Sequence, residues 1–386
     1  MERPGRGGRV PAIGWELPPF WCPLTPARFR DTTGLEARAM AWADAHGLYP
    51  DQVERAWGQA THSTDFSCRI IPYADEERLL LFILWNHWAF ALDDLVHDTG
   101  EATTRAAAVT AFNSRVARGL ETPGAGGVSP GPLSEAFEDL VRRTRAALDP
   151  WEFQLVREGL RDWLFGAAWQ AGNTERAVMP DLEDYVAMRP SVNGTRFSLA
   201  WSVLAQRIPV GPLELYDDRV QTLTDVAGFV VSCDNDMFSY AKDDGQDRPE
   251  QNLVNVLAHA RGCPPRLAVA DARALRDRVM GLFLRLRAHV AADASPALGR
   301  YLDALGHYVV GSIGWMNEAP RYASPRNRNP VPVAGVTWGI RWSSGPSDPS
   351  PEPPPLRAMA WWWATARAER RTGGSNGDGM SAADLR

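Results

Sequence analysis

The sequence has very little lysine, no excess of positive charge and few cysteines. Of its 41 lysine and arginine residues, only Lys242 is a lysine. The formal net charge of −6 over 386 residues argues against nucleic acid as the main partner. Cys22, Cys68, Cys233 and Cys263 form no CxxC pair, so we predict free thiols in a reducing compartment.

Apolar runs long enough to cross a bilayer are also missing. The longest run, LLLFILWNHWAFAL at 79–92, contains Asn86 and His87 and is typical of a buried helix. The opening residues, MERPGRGGRV, lead into no apolar stretch of a secretory signal. We therefore predict a soluble, cytoplasmic protein without a membrane span.

Clean alternation of apolar and polar residues, the mark of strands, does not recur along the chain. From about residue 33 to 321, segments with helical periodicity are separated by Pro- and Gly-rich breakers such as 122–132 and 261–266. This pattern predicts an all-α bundle, and such folds build their sites at the bundle centre. We assign residues 1–342 to this domain, with 1–30 as an extended lead-in.

The character of the chain changes after about Trp342. The segment SSGPSDPSPEPPP at 343–355 is rich in proline, a composition typical of unpacked linkers. We therefore predict a disordered tail at 343–386. Within it, the tryptophan-rich segment 356–370 could form a short helix that docks or associates through its three consecutive tryptophans, residues 361–363.

An acidic cluster, FALDDLVHD at 90–98, closes an almost wholly apolar helix. Asp94 and Asp98 are four residues apart and share a helix face, whereas Asp93 lies on an adjacent face. Carboxylates at a helix C-terminus are disfavoured by the helix dipole and repel one another, so a positive partner is predicted. The simpler alternative is a helix end that emerges into solvent.

A second acidic cluster lies in VVSCDNDMFSYAKDDGQ, residues 230–246. Asn235, Ser239 and Asp243 stand at i, i+4 and i+8, so their amide, hydroxyl and carboxylate share one helix face. These hard oxygen donors are the kind that Mg²⁺ takes from proteins. A calcium-binding EF-hand is excluded because residues 234–244 lack the turn glycine. The two clusters together could hold a Mg²⁺-bound diphosphate across the mouth of a bundle.

The stretches DDLVHD and NDMFSYAKD resemble the aspartate-rich motif and the NSE/DTE triad, N-D-x-x-S-x-x-[KR]-[ED], of bacterial class I terpene synthases. Asp243 stands where glutamate is commoner in that family. Arg189 lies 46 residues before the triad asparagine, at the position of the family's diphosphate-sensing arginine, and Arg321 and Tyr322 match its later Arg-Tyr pair. The resemblance that these four motifs carry covers about residues 15–325.

The resemblance implies a terpene cyclase that ionises a linear isoprenyl diphosphate and cyclises the cation, with farnesyl diphosphate favoured and geranylgeranyl diphosphate as the alternative. It implies three Mg²⁺ ions, for which Mn²⁺ can substitute, and a cavity at the centre of the bundle. The metal ligands that it implies are Asp93, Asp98, Asn235, Ser239 and Asp243.

The resemblance also assigns roles in diphosphate binding and ionisation. Asp94 would hold a salt bridge that organises the closed form of the enzyme. A helix break after Arg189 would point a backbone carbonyl into the cavity, and Pro190 and Gly194 fit such a break. Asn193 is the position expected for that carbonyl, with Gly194 second, so the catalytic set is Asp93, Arg189 and Asn193. The expected diphosphate ligands are Arg189, Lys242, Arg321 and Tyr322.

Cyclisation of a carbocation needs a closed apolar cavity, since water would quench the cation. Aromatic faces stabilise cations without supplying a nucleophile, and the chain has 16 tryptophans and 13 phenylalanines. We predict Phe90 and Trp315 as cavity residues, although packing in the core is the alternative for any one aromatic side chain. Other candidates near the motifs are Phe66, Trp85, Phe197 and Phe238.

Three other functions compete with this interpretation. A prenyl chain-elongating enzyme would carry a second DDxxD motif, where 234–244 provides the pattern N-x-x-x-S-x-x-x-D. A class II cyclase would need a DxDD motif, and CDND at 233–236 is not one. A non-catalytic binding protein could use the proline-rich tail and the tryptophan cluster. For partners we expect the isoprenyl diphosphate and no nucleic acid, and a homodimer is left open.

Overall fold

The computed structural model describes residues 16–94, 106–122, 131–243, 250–323 and 337–372, except the side chains of 241–243 and 368–372. Within these ranges the chain forms helices and no strand, with one isolated parallel β-bridge between Phe20 and Trp342. The prediction of an all-α fold is confirmed. In chain order the helices are α1 (Thr32–Ala45), α2 (Gln52–Ala60), α3 (Ser63–Ile70), α4 (Glu76–Leu92), α5 (Ala106–Glu121), α6 (Pro132–Ala147), α7 (Pro150–Glu175), α8 (Leu182–Val192), α9 (Thr195–Ala205), α10 (Pro212–Leu215), α11 (Asp218–Asp243), α12 (Leu253–Arg261), α13 (Pro265–Ala292), α14 (Pro296–Glu318), α15 (Pro320–Ala323) and α16 (Arg357–Thr372).

Local sequence signals set the starts of many helices. Asp75 caps α4 by accepting a hydrogen bond from the backbone N–H of Arg78, which satisfies one of the unpaired donors of the first turn. Asp149 and Glu152 form a capping box at the start of α7, next to a proline in the first turn. These polar caps fix where each apolar segment begins.

The long helices α4 and α11 lie at the centre of the bundle. Helix α4 is apolar on most of its surface, and most of α11 is buried although it also carries polar residues, so both helices are covered on nearly all sides. Helix α4 packs against α1, α3, α6 and α9, whereas α11 packs against α8, α13, α14 and α16. Their C-terminal ends carry the two acidic clusters, so packing of the bundle decides where those clusters lie.

The C-terminal segment differs from the disordered tail that composition predicted. Ser347 donates hydrogen bonds from its N–H (2.8 Å) and hydroxyl (2.7 Å) to Asp277 on α13, and Asp348 pairs with Arg278 on the same helix. A proline-rich chain forms no regular structure, but its side chains and free N–H groups can still bind a neighbouring helix. The expectation of disorder is therefore wrong for 343–355.

A helix does form at the tryptophan-rich segment, as expected, and it docks on the bundle. Helix α16 packs on α8 and α11 through the buried side chains of Met359, Trp362 and Trp363. Its first two N–H groups, on Arg357 and Ala358, donate to the carboxylate of Glu183 at 2.9 and 2.7 Å. The division into a 1–342 domain and a separate tail stays a prediction, which these contacts count against. In the ranges that the structure describes, no helix is long and apolar enough to cross a membrane.

Candidate active site

A central cavity opens where α4, the junction of α8 and α9, α11, α14 and α15 meet. It encloses about 1190 Å³ of empty space when the open mouth is included. The structure brings together in its lining most of the residues singled out in the sequence. These are Phe90, Asp93, Arg189, Asn193, Asn235, Ser239, Trp315, Arg321 and Tyr322.

Three of the predicted site residues cannot be placed in the cavity. Asp98 lies outside the described residues. Lys242 and Asp243 belong to the last turn of α11, and only their backbone is described. Their roles therefore stay predictions.

The end of α4 carries the first acidic cluster. Asp93 directly follows the helix and is half-buried on the cavity rim. Asp94 is buried and accepts two hydrogen bonds from the guanidinium of Arg321, at 2.7 and 2.6 Å. Arg321 is thus the positive partner that the clustered carboxylates required, and the pair is the salt bridge expected for Asp94. The same guanidinium lies 5.4 Å from the centre of the Phe90 ring.

Hydrogen bonds link the triad asparagine on α11 to the earlier Arg189 and to the later Arg-Tyr pair. The Arg189 guanidinium donates to the Asn235 side-chain oxygen at 3.0 Å. The Asn235 amide nitrogen in turn donates to the Tyr322 hydroxyl at 3.0 Å. Ser239 lies one turn further along α11 and lines the same cavity. Side chains from three distant parts of the chain therefore converge on one face of α11.

Asp236 is a site residue to which the sequence analysis gave no role. It is fully buried and accepts hydrogen bonds from the Arg189 guanidinium, the Tyr185 hydroxyl and the backbone N–H of Leu253. A carboxylate in an apolar helix requires such partners. The sequence therefore indicated that Asp236 needs partners, but it did not indicate that they come from α8 and α12.

The ionisation of Arg189 and Tyr185 is shifted by this network. Burial lowers the pKa of the Arg189 guanidinium, but its interactions with Asp236 and Tyr185 raise that pKa by more, so the net shift is upward. Burial and the charge of Asp236 raise the pKa of the Tyr185 hydroxyl well above its usual value. Arg189 therefore stays a cation and Tyr185 a neutral donor over the working pH range.

The helix break expected after Arg189 lies between α8 and α9. Pro190 is inside α8, Asn193 caps its end, and Gly194 has φ of +66°. That left-handed conformation favours glycine because it lacks a Cβ atom. Asn193 and Gly194 both line the cavity, so the break is positioned where a backbone carbonyl could act.

Close packing of α7 supports the end of α8. A Cβ atom on Gly166 would lie 2.5 Å from the backbone nitrogen of Val192. Only glycine permits this approach without a shift of the backbone. The tight contact holds the last turn of α8 against α7, just before the break.

Aromatic side chains form much of the cavity wall. The Phe90 and Trp315 rings lie 6.0 Å apart, and Phe66 lies 4.5 Å from Trp315. Phe197 also lines the cavity, as do Trp163 and Tyr308, which the sequence analysis did not select. Trp315 is fixed by a hydrogen bond from its indole nitrogen to the carbonyl of Thr61, at 2.7 Å.

Two of the other aromatic candidates do not line the cavity. Phe238 turns away from it and stacks on Phe20 of the lead-in, with ring centres 5.0 Å apart. Trp85 packs toward α6, where its indole nitrogen donates to the Thr144 hydroxyl at 2.9 Å. Nearness to a motif in sequence did not settle which way these rings face.

The donors on the rim suit a hard divalent cation. Asp93, Asn235 and Ser239 offer carboxylate, amide and hydroxyl oxygens to the same cavity, the donor set that Mg²⁺ accepts and zinc rarely uses. No group of three His, Cys, Asp or Glu side chains suited to a metal occurs among the described residues. Two of the expected ligands are Asn and Ser, and Asp98 and the Asp243 side chain are outside the description.

Comparison with known proteins identifies the family to which this chain belongs. The model of the C-terminal metal-binding region of terpene synthase family 2 matches residues 84–281, which carry Asp93, Arg189 and the triad. The chain belongs to this family, among the bacterial class I terpene synthases. It is therefore an enzyme, a lyase of isoprenoid biosynthesis.

Individual relatives are similar in sequence to this chain over almost its whole length. Spiroviolene synthase of Streptomyces violens is 35% identical over 353 residues, which are 91% of this chain and 97% of that protein. Bonnadiene synthase of Allokutzneria albata is 28% identical over 90% of this chain and 97% of its own. The crystal structure of the SVS_A2 protein from ancestral sequence reconstruction has a TM-score of 0.80 and 36% identity, over 91% of this chain and 99% of that one.

Proposed function

We propose that this terpene synthase binds a linear isoprenyl diphosphate with the diphosphate at the cavity mouth and the hydrocarbon chain in the cavity beneath. The observation that carries the proposal is the convergence of Asp93, Asn235, Arg189 and Arg321 on one cavity whose lining also includes several aromatic rings. Charged groups beside aromatic surfaces fit a substrate with a charged head and an apolar chain.

The rim residues bind the diphosphate directly, and the metal ions that they hold stabilise its negative charge. Arg189 and Arg321 supply positive charge and guanidinium N–H donors of the kind that bind phosphate oxygens, and Tyr322 adds a hydroxyl. Lys242, in the last turn of α11, completes the expected set of donors. Magnesium ions held at the rim would stabilise the negative charge that develops on the leaving diphosphate. We propose three such ions, replaceable by Mn²⁺, held by Asp93, Asp98, Asn235, Ser239 and Asp243.

Ionisation breaks the bond between the allylic carbon and the diphosphate oxygen, and the electron pair leaves with the diphosphate. We propose that the backbone carbonyl of Asn193, at the break after α8, faces the allylic carbon and favours this step. The π electrons of a distant double bond then form the new C–C bond. Either the diphosphate removes the last proton or water captures the cation, which gives a hydrocarbon or an alcohol.

The cavity wall must protect the cation while rings form. The Phe90 ring lies beneath the Arg321 guanidinium, and the Trp315 ring lies 6.0 Å from that of Phe90 in the same cavity lining. Ring faces attract a cation electrostatically and cannot add to it as water would. We therefore propose that these two rings bind the first cation formed.

The length of the substrate is open between fifteen and twenty carbons. The 4-epi-cubebol synthase of Streptosporangium roseum, 27% identical over 79% of this chain, is named as cyclising (2E,6E)-farnesyl diphosphate. A protein named diterpene cyclase, from a Streptomyces species, is 25% identical over 92% of this chain and all of its own length. Relatives of both kinds match this chain, so geranylgeranyl diphosphate is to be tested beside farnesyl diphosphate, which the sequence favoured.

Incubation of the purified protein with Mg²⁺ and each diphosphate in turn, followed by gas chromatography of the extract, tests the proposal. We expect a cyclic terpene from at least one of geranyl, farnesyl and geranylgeranyl diphosphate. Absence of hydrocarbon or alcohol from all of them would contradict the proposed function. In a parallel incubation that also contains isopentenyl diphosphate, a longer linear alcohol after phosphatase treatment would indicate chain elongation instead.

A further inference from the structure

Three consecutive polar residues of α11, Asp234, Asn235 and Asp236, make different sets of contacts. Asn235 faces the cavity, and Asp236 faces Arg189 on α8. Asp234 faces away from the cavity, toward α13, where it meets Arg276. We propose that the ion pair of Asp234 and Arg276 positions the metal-binding face of α11. The inference rests on the proposed function, since it concerns the same rim.

Two hydrogen bonds join the side chains of Asp234 and Arg276. The Arg276 guanidinium donates from Nε to Asp234 Oδ1 at 2.8 Å and from Nη2 to Oδ2 at 3.0 Å. The exposed fractions are 1% for Arg276 and 0% for Asp234. A bidentate pair fixes the orientation of both groups as well as their distance, so it constrains how α11 is turned about its own axis.

Arg276 also connects this pair to the rest of the chain. Its Nη1 donates to the carbonyl of Trp21 in the lead-in and to Asp277 Oδ1 at 3.1 Å. The other oxygen of Asp277 accepts both hydrogen bonds from Ser347 in the C-terminal segment. The back of the triad turn is therefore tied to α13 and to both ends of the described chain.

Stability alone is a poor explanation for such a pair. Removing two charges from water costs free energy that their attraction barely recovers, and apolar replacements of similar volume are often as stable or more so. What apolar side chains do not supply is a fixed direction. A role in specifying one arrangement of α11 against α13 fits this network better.

The geometry makes the direction important for the metal ligands. Successive residues in a helix are about 100° apart, so fixing Asp234 toward α13 fixes where Asn235 and Ser239 face. At the side-chain rim, about 5–6 Å from the axis, a rotation of about 10° moves an oxygen by about 1 Å. Metal–ligand distances tolerate only about 0.2 Å. A small rotation of α11 therefore weakens metal binding without unfolding the protein.

The double variant Asp234→Leu/Arg276→Met separates positioning from stability. We expect a melting temperature within about 4 °C of the unchanged protein. Calorimetric titration with Mg²⁺ and inorganic diphosphate should show at least about tenfold weaker binding. Arg278→Met is the matched control, because Arg278 lies on the same helix and pairs with Asp348 rather than with α11. The control should bind Mg²⁺ and diphosphate as the unchanged protein does.

Each outcome of this titration decides something. If the unchanged protein fails to bind Mg²⁺ and diphosphate, the proposed function is wrong. If it binds and the folded double variant binds equally well, the positioning role is overturned. If the double variant does not fold, Arg276→Lys decides: it keeps the charge but loses the two-point contact. Unchanged affinity in Arg276→Lys would then overturn the proposal, and affinity weakened severalfold would support it.

Discussion

The guanidinium of Arg321 meets the carboxylate of Asp94 through two hydrogen bonds of 2.7 and 2.6 Å, although 227 residues separate them in the chain. Only 4% of the Arg321 side chain and 8% of the Asp94 side chain are exposed. The contact joins the end of α4, where the aspartate-rich motif begins, to α15 on the opposite side of the cavity mouth. The pair therefore holds these two parts of the cavity mouth together.

Asp94→Asn should destabilise the protein strongly. It removes the buried charge that accepts both printed hydrogen bonds from Arg321, and breaking a buried pair in this way costs about 3–5 kcal/mol. Urea unfolding measures this loss directly. Asp44→Asn is the control, because Asp44 forms an exposed pair with Arg55 and its loss should cost less than about 1 kcal/mol. Equal losses of unfolding free energy in the two variants would show that the buried pair contributes no more to stability than the exposed pair.

The metal-ligand assignments predict a loss of turnover without loss of fold. Asp93→Asn and Asn235→Ala should each lower kcat by a factor of about 10² or more, because each removes a group that stabilises charge in the transition state. Circular dichroism and the melting temperature should change little. Near-normal activity in either variant would mean that the metal site is assigned to the wrong residues.

Arg189 is expected to need its fork-shaped side chain and its anchor on Asp236. Arg189→Lys keeps a positive charge but cannot bind Asp236 and a diphosphate oxygen in the same geometry, so kcat should fall by a factor of about 10². Tyr185→Phe removes only one neutral donor to Asp236 and should cost about 1 kcal/mol of stability. A lysine variant with full activity would show that the fork-shaped guanidinium is not required at this position.

Phe90 is predicted to act on the cation rather than on the fold. Phe90→Leu keeps an apolar side chain of similar size but removes the ring, and a cation–π contact contributes about 1–2 kcal/mol. We expect kcat to fall about tenfold and the ratio of products to change in the gas chromatogram. Phe165→Leu, at an exposed position on α7, serves as the control. An unaltered product ratio in Phe90→Leu would place the ring outside the reacting region.

His87 should make stability depend on pH. Burial lowers the pKa of this imidazole in the folded protein, whereas the unfolded chain titrates near pH 6.5. The unfolded chain therefore binds the proton more tightly, so the free energy of unfolding falls as the pH drops below about 6.5. The loss ends once the pH is below the folded pKa.

The control for this prediction removes the titrating group. In His87→Gln, urea unfolding between pH 8 and pH 5 should show a smaller decrease in stability than in the unchanged protein. His259→Gln, at an exposed position, should leave the decrease as it is. If His87→Gln and the unchanged protein lose the same free energy across this range, the buried histidine is not the cause.

Spacing within single helices predicted a large part of the site. Asn235 and Ser239 are four residues apart, so helical geometry alone placed both on one face, and both line the cavity. The helix break near Gly194 was expected from the resemblance to the family, and Pro190 and Gly194 fit it because proline and glycine act on the local backbone. In each case the signal and its consequence lie within a few residues.

Contacts between distant segments were beyond such patterns. Asp236 and Asp234 meet arginines 47 and 42 residues away, and nothing in the spacing names those partners. Phe238 and Trp85 lie near the motifs but face other helices, which only the packing decides. The proline-rich segment shows the same limit, since composition predicted the absence of regular structure and could not predict its hydrogen bonds to α13.

The central claim is that the rim of the cavity ionises an isoprenyl diphosphate and that the cation cyclises below it. The most direct measurement follows inorganic diphosphate and cyclic terpene together in one incubation with Mg²⁺, with and without EDTA. We expect the two products in equal molar amounts and neither of them after EDTA is added. Diphosphate release without a cyclic product, or cyclic product formed in the presence of EDTA, would contradict this account.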